Sequence, residues 1–387
     1  MTEIKARACL SKFEDYQVET VPDADIIVNA NETNWDLTPE LRVELQTRIS
    51  ENAFNRYPTM HGEELSEQIA KALGVDPATV VIGNGSSELL EKACFAFGGA
   101  GTKIAYPSPS FSMYETYAVL GDAEPIAFAL TPEGFIDPDA VIAFCQKEKP
   151  NALIICNPNN PTGNFNPRSD MEKIIRNVDC LVIMDEAYLE FSKEDGQVLA
   201  NSTLELTKKV DNLLVLRTFS KAYGLANLRI GYGIGSPAVM RVLKKVLLPY
   251  TVNGVSILTA GLVYAKPEVL AQRVRAVVKG REYLREQFTA LGFKVLPSAT
   301  NFILVLPQGK VLDNLAAQAG KSGAEPAAKA KAAGSYLFKQ LLKRKILIRD
   351  FSQKDQLPGG LRISIGTAQE NPEIIAGVKA ILAQGEA

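Results

Sequence analysis

Between residues 80 and 235 the chain alternates short, unbroken apolar runs with segments whose apolar positions recur every three or four residues. The unbroken runs, at 80–82, 152–156, 180–184 and 213–216, suit strands buried on both faces. The spaced pattern, as at Leu89, Leu90, Ala93 and Phe97, suits amphipathic helices. Such alternation predicts a largely parallel sheet with right-handed crossovers, flanked by helices. Before it, residues 39–58 begin as a helix and break at Tyr57-Pro58, and 62–73 form a helix stopped by Gly74. After it, 237–289 read as helical, with a long pattern over 269–291 that links two domains. A strand pair at 293–307, further strands at 346–350 and 361–366, and a closing helix over 372–384 follow. The Ala-, Gly- and Lys-rich stretch 316–334 reads as an insertion, helical in part, solvated and mobile. The expected fold class is therefore α/β, with a smaller α+β domain. The expected boundaries are an N-terminal arm (1–35) that packs with the small domain, a large domain including the interdomain helix (36–290), and the small domain (291–387).

Composition narrows the classes. With 387 residues, 46% hydrophobic and 22% charged, the chain can bury a large core. Forty-two basic against 44 acidic residues give a formal charge of −2, which offers no global support for nucleic acid or a membrane surface as partner. No apolar run approaches the roughly 18 residues of a membrane helix, and the N-terminal segment lacks the apolar core of a signal peptide. Five cysteines, without metal-ligand spacing, leave Cys94, Cys156 and Cys180 as buried reduced thiols, so the expected location is cytoplasmic. The single histidine, His61, lies in a turn, so neither a metal site nor a Ser-His-Asp triad is expected.

Four strand ends carry candidate chemistry. In 213–231 the apolar run ends in Thr218, Phe219, Ser220 and Lys221, with Arg229 eight residues beyond the lysine. A lysine beside a hydroxyl, with an arginine nearby, suits a ligand bearing both an aldehyde and a phosphate. The amine can form a Schiff base while hydroxyls, backbone N–H groups and the guanidinium hold the phosphate. Alone, such a lysine is more often a solvated surface residue. In 151–163 a buried strand enters the turn Asn-Pro-Asn-Asn-Pro-Thr-Gly, and in 180–191 another ends in Asp185-Glu186-Ala187-Tyr188, where an acid can be a mere helix cap. In 80–97 a strand runs through Gly83-Asn84-Gly85-Ser86-Ser87 into a helix, and that helix start offers unpaired N–H groups to an anion. Together they set a lysine, an aspartate, an asparagine, an arginine and a phosphate cradle at the C-terminal ends of strands, where open α/β sheets bind ligands.

The order and spacing resemble those of the fold-type I pyridoxal phosphate (PLP) aminotransferases, most closely the histidinol-phosphate aminotransferase family. The resemblance runs from NANETNW (29–35) through RYP (56–58), the cradle, PSPSFSMY (107–114), NPNNPTG, DEAYLEF and TFSKAYGLANLRIGY to ILIRD (346–350) and LRISIG (361–366). It implies PLP attached to Lys221, which then acts as acid and base. A free lysine has a pKa of about 10.4, so burial and a neighbouring cation such as Arg229 must lower it. It further implies Asp185 against the pyridine nitrogen, Tyr188 and Asn160 as donors to the phenolic oxygen, and Phe111 stacked on the ring. The phosphate is expected at the N–H groups of Ser86 and Ser87, the hydroxyls of Thr218 and Ser220, and Arg229. Tyr57 is expected from the neighbouring subunit of a homodimer with shared sites. Arg362 matches the arginine that grips the substrate's anion, and Arg349 and Tyr16 match positions near a substrate phosphate.

Three departures stand out: Ser87 where the cradle more often has aspartate, Asn227 in place of a glycine, and the stretch 316–334. The implied reaction moves an amino group between histidinol phosphate and 2-oxoglutarate, a step of histidine biosynthesis. Alternatives keep the site and change the substrate: transamination of aromatic or other amino acids, or decarboxylation of a phosphorylated amino acid. A non-catalytic sensor fused to a DNA-binding module would need a helix-turn-helix, for which the roughly 30 residues before NANETNW leave no room.

Overall fold

The computed structural model describes residues 7, 9–10, 23–194 and 199–384. Its elements are β1 (Ile26–Ile27), α1 (Pro39–Ser50), α2 (Glu63–Leu73), β2 (Val80–Gly83), α3 (Ser86–Phe97), β3 (Lys103–Ser108), α4 (Met113–Leu120), β4 (Glu124–Ala129), α5 (Pro138–Glu148), β5 (Ala152–Cys156), α6 (Arg168–Arg176), β6 (Leu181–Asp185), β7 (Leu213–Thr218), β8 (Gly231–Gly235), α7 (Pro237–Leu243), α8 (Gly254–Tyr264), α9 (Pro267–Ala290), β9 (Phe293–Val295), β10 (Phe302–Pro307), α10 (Gly309–Gln318), α11 (Pro326–Lys343), β11 (Ile346–Leu347), β12 (Arg349–Asp350), β13 (Leu361–Ser364) and α12 (Glu370–Ala383).

The main sheet has seven strands in the order β2-β8-β7-β6-β5-β3-β4, all parallel except β8, which runs antiparallel between β2 and β7. Its central strands alternate their side chains between two apolar layers. Ile154, Ile183, Leu214 and Leu216 pack with residues of α3, α4 and α7, while Leu153, Ile155, Val182, Met184 and Val215 pack with α5 and α6. Burial on both faces explains why these strands are continuous apolar runs. Each such side chain stabilises the fold by about 1.5–3 kcal/mol through removal from water. The fold is thus α/β, with a mostly parallel central sheet flanked by helices.

A second, antiparallel sheet has the order β12-β13-β10-β9, and β1 pairs in parallel with β11 through Ile26 and Ile346. These strands, with α9, α11 and α12, enclose a further core built on Phe288, Phe293, Phe302, Leu337 and Ile375.

Two sequence expectations change. The helical region 237–289 is three helices, broken at 244–253, where Tyr250 takes a positive φ of 61°, and at 265–266; Asn253 caps α8 by accepting from Ser256 N–H at 2.9 Å. The stretch 316–334 is exposed around 321–323 and 325–328 but is not a solvated insertion throughout. Ala333 is fully buried, and Gly334 sits so close to Gly359 that an added Cβ would lie 2.6 Å from its carbonyl oxygen. Cys94, Cys145, Cys156 and Cys180 are buried free thiols. Among the described residues no helix is long and apolar enough to cross a membrane.

Candidate active site

The C-terminal ends of β2, β5, β6 and β7 and the start of β8 converge with β12, β13 and residues 29–31 around a cavity of about 500 Å3. Ser86, Ser87, Phe111, Asn160, Asp185, Tyr188, Thr218, Ser220, Lys221, Arg229, Arg349 and Arg362 all line it. Two larger clefts, each about 740 Å3, gather no comparable set of convergent titratable groups.

One wall is an anion cradle. Gly85 precedes α3 with φ 84° and gives no side-chain cap, so the first N–H groups of the helix are left for a ligand. Two positions here require glycine: Gly85 by its left-handed φ of 84°, and Gly231 because an added Cβ would lie 2.4 Å from the backbone nitrogen of Ser86. Arg229 itself takes a left-handed φ of 49°, and its Nη1 donates to Ser220 Oγ (3.1 Å) and to the Ala226 carbonyl (3.0 Å). Thr218 Oγ1 accepts from Ser220 N–H at 3.1 Å, so the loop leading to Lys221 is fixed by its own hydroxyl.

Opposite lie Asp185 and Lys221. Asp185 is buried, Tyr114 donates to its Oδ2 at 2.8 Å and Ala187 N–H to its Oδ1 at 3.2 Å. Burial pushes its carboxyl above the usual range despite those two donors. Lys221 Nζ donates to the Ala30 carbonyl at 3.1 Å and lies 5.8 Å from the centre of the Tyr188 ring. Enclosure by protein, with Arg362 and Arg229 adding like charge, brings this amine down to about 8. The Tyr188 hydroxyl accepts from Asn31 Nδ2 at 3.0 Å, and its ring meets Phe302 edge-on.

Arg362 forms the roof. Its Nη1 donates to Asn160 Oδ1 (2.6 Å) and its Nη2 to the Asn29 carbonyl (2.7 Å), and its guanidinium lies 5.3 and 5.4 Å from the rings of Phe302 and Phe351. Arg349 on β12 is the direct cross-strand partner of Arg362 on β13. Like charges at such positions repel. Among the described residues the lining carries five cations (Lys221, Arg229, Arg349, Lys354, Arg362) against two carboxylates, Asp185 and Asp350.

Tyr57 stands apart. It is 80% exposed, stacks on Tyr250 with ring centres 4.6 Å apart, and does not line this cavity. Tyr16 lies outside the described residues. Sequence reasoning left Tyr114 and Asn31 without a role although both stand inside quoted motifs, and it did not single out Lys354 at all.

The donor set fits PLP: N–H groups, hydroxyls and a guanidinium for a phosphate, and a buried carboxylate for a ring N–H⁺. The amine for a covalent bond sits in the same cavity. A family profile, aminotransferase class I and II, matches residues 25–378. The chain belongs to that family and is a PLP-dependent aminotransferase. A histidinol-phosphate aminotransferase of Thermoanaerobacter pseudethanolicus is 36% identical over 383 residues, 99% of this chain and 100% of that protein. The solved histidinol-phosphate aminotransferase of Sinorhizobium meliloti, in complex with PLP, matches with a TM-score of 0.79 at 20% identity, covering 94% of this chain and 92% of that one. An L-threonine-O-3-phosphate decarboxylase of Porphyromonas gingivalis has the same fold, with a TM-score of 0.74 at 22% identity over 92% of this chain and 99% of that one.

Proposed function

We propose that the protein transfers an amino group between histidinol phosphate and 2-oxoglutarate. The observation that carries this reading is the surplus of cations beyond the cofactor cradle. Arg229 serves the cradle, whereas Arg349 and Arg362 stand opposite each other on the far wall, where together they face the space a substrate anion would fill. The relatives that share a third of their residues with this chain bear that activity in their names.

When bound, PLP supplies an electrophilic carbon and a sink for the electron pair left when the substrate's Cα–H bond breaks. The chain's own groups do the rest. Lys221 would hold the cofactor through its amine and would move the proton at the substrate carbon, its lowered basicity letting it do so near neutrality. Asp185, steadied by Tyr114, would keep the ring nitrogen protonated. Asn160, its Oδ1 held by Arg362, would offer its amide N–H to the phenolic oxygen, and Tyr188 would donate to the same oxygen. Ser86, Ser87, Thr218, Ser220 and Arg229 would bind the phosphate, and Phe111 would cover the ring.

Arg362, Arg349 and Tyr16 bind the donor. The boundaries 1–35, 36–290 and 291–387 divide the chain into arm, cofactor domain and small domain. Tyr57, exposed and away from its own cavity, completes the site of a second subunit in a cytoplasmic homodimer. Decarboxylation of a phosphorylated amino acid is the second reading, favoured by the likeness to the threonine-phosphate enzyme and the same surplus of cations.

A half-reaction panel tests these readings. The PLP form is mixed separately with histidinol phosphate, phenylalanine, aspartate and phosphothreonine, and loss of the cofactor's absorbance and release of CO2 are followed. Fast conversion with histidinol phosphate and no CO2 is the expected result. CO2 release from phosphothreonine favours the decarboxylase, and conversion by phenylalanine alone overturns both.

A further inference from the structure

Helix α11 and the turn over 351–360 form a rigid bracket at the cavity mouth. Gly334 of α11 and Gly359 of the turn are in backbone contact, and a Cβ on Gly359 would meet the Ala330 carbonyl at 2.7 Å. Lys331 pairs with Asp355 at 2.6 Å, and Gln353 Nε2 donates to the Lys331 carbonyl at 3.2 Å. Within the turn, Ser352 N–H donates to Asp350 Oδ1 (2.7 Å), Gly359 N–H to the Ser352 carbonyl (3.0 Å), and Leu357 is buried against Leu296 and Leu304.

Lys354 sits in the middle of this bracket. Its N–H donates to the Phe351 carbonyl at 2.9 Å and its carbonyl accepts from Leu357 N–H at 3.0 Å. Both its neighbours are tied to α11, yet its own side chain is exposed and lines the cavity beside Arg349 and Phe351. Lys329 and Lys331 have carboxylate partners, whereas among the described residues no carboxylate lies within ion-pair distance of Lys354. Thus a backbone held on both sides presents an uncompensated ammonium at the entrance.

We propose that Lys354 is a specificity-determining residue, whose ammonium binds, with Arg349, the phosphate of a phosphomonoester amino donor. This rests on the reading that the donor is such an ester. A phosphomonoester is close to a dianion at neutral pH and presents three acceptor oxygens, so one arginine leaves both charge and lone pairs unmet. Arg362 shares its donors with Asn160 and the Asn29 carbonyl and so meets only part of that demand, and the remaining cation of the cavity wall outside the cradle and Lys221 is Lys354.

The test compares wild type, Lys354→Met and Lys354→Arg holoenzymes on matched donors: histidinol phosphate with histidinol, and phosphothreonine with threonine. Methionine keeps the apolar stem, so folding is unaffected. Lys354→Met is expected to raise KM for the phosphorylated member about tenfold, the scale of one hydrogen bond to a charged group, with kcat near that of wild type. The unphosphorylated member should be unaffected, inorganic phosphate should weaken as a competitive inhibitor by a similar factor, and Lys354→Arg should restore most of the loss. Equal losses on both members of each pair, or none on either, overturn the proposal. If wild type itself shows no preference for phosphorylated donors, the substrate reading falls and the role of Lys354 with it. If wild type prefers them and Lys354→Met keeps that preference, only the role of Lys354 falls.

Discussion

Glu186 and Arg217 adjoin Asp185 and Thr218 in sequence, and with Glu190 they are almost wholly buried, yet none of the three lines the cavity. Arg217 reaches Glu186 at 3.3 Å and Glu190 at 2.6 Å, and Glu186 also accepts from the Ser202 hydroxyl and from the N–H and hydroxyl of Thr203. On the other side of the same strand ends, among the described residues, five cations share a cavity with two carboxylates, and two of the arginines oppose each other across a strand pair. In the first cluster each group finds its ion-pair and hydrogen-bond partners within the chain, one arginine between two carboxylates, and the cluster ties β6 to β7. The second gathers more cations than carboxylates among the described residues, around a space large enough for a small-molecule anion. Buried charge alone therefore does not mark a binding site. A surplus of one sign around a space does.

The sharpest break of the cavity side is Lys221→Ala. Covalent trapping of PLP by borohydride should disappear and turnover should fall by several orders of magnitude, while circular dichroism stays that of wild type. Trapping on another lysine, read by mass spectrometry, would remove the assignment. Asp185→Asn comes next: PLP stays bound, but turnover falls by orders of magnitude because an amide cannot hold a ring proton by its charge. Near-normal turnover would reduce Asp185 to a structural partner of Tyr114.

The paired side should respond in stability rather than in substrate affinity. Arg217→Met leaves two carboxylates buried without their cation and is expected to cost about 3–5 kcal/mol in urea unfolding. Adding Glu186→Gln and Glu190→Gln should recover much of that loss, since the charges then leave together. Arg349→Met should do the reverse. Removing one of two opposed arginines is expected to be neutral or to stabilise by about 0.2–1 kcal/mol, while KM for a phosphorylated donor rises. A destabilised Arg349→Met protein with unchanged KM would show that the two clusters do not differ as described.

Much of the cavity was legible from strand ends, because a lysine, an aspartate and a glycine-rich turn each followed an apolar run at the edge where such sheets bind ligands. Their partners were not. Tyr114 reaches Asp185 across 71 residues and Asn31 reaches Tyr188 across 157, and neither separation leaves a periodic trace. Strand β8, with three glycines in five residues, carries too little β propensity to register, although it delivers Arg229 to the cradle. The far half of 316–334 misled for a related reason. Alanine and glycine pack by close backbone approach, as at Gly334 and Gly359, and such packing has no apolar signature.

The smallest effect concerns the basicity of Lys221, and it tests the surplus of charge directly. Enclosure by protein, then the Arg362 charge, bring the amine from 10.5 to about 8. Between those values the unfolded chain holds a proton that the folded protein does not, so this group's contribution to stability rises with pH through that window. In cofactor-free protein, acetylation of Lys221 followed by peptide mass spectrometry should therefore show a midpoint near 8. Replacing Arg362 with glutamine removes the like charge but leaves the enclosure, so the midpoint should move upward by about one unit at most. Glu186→Gln, on the paired side, should leave it in place. A midpoint near that of a free lysine in the wild type, or one indifferent to Arg362, would mean that solvent in the cavity screens these cations and that their surplus exerts no force on the amine.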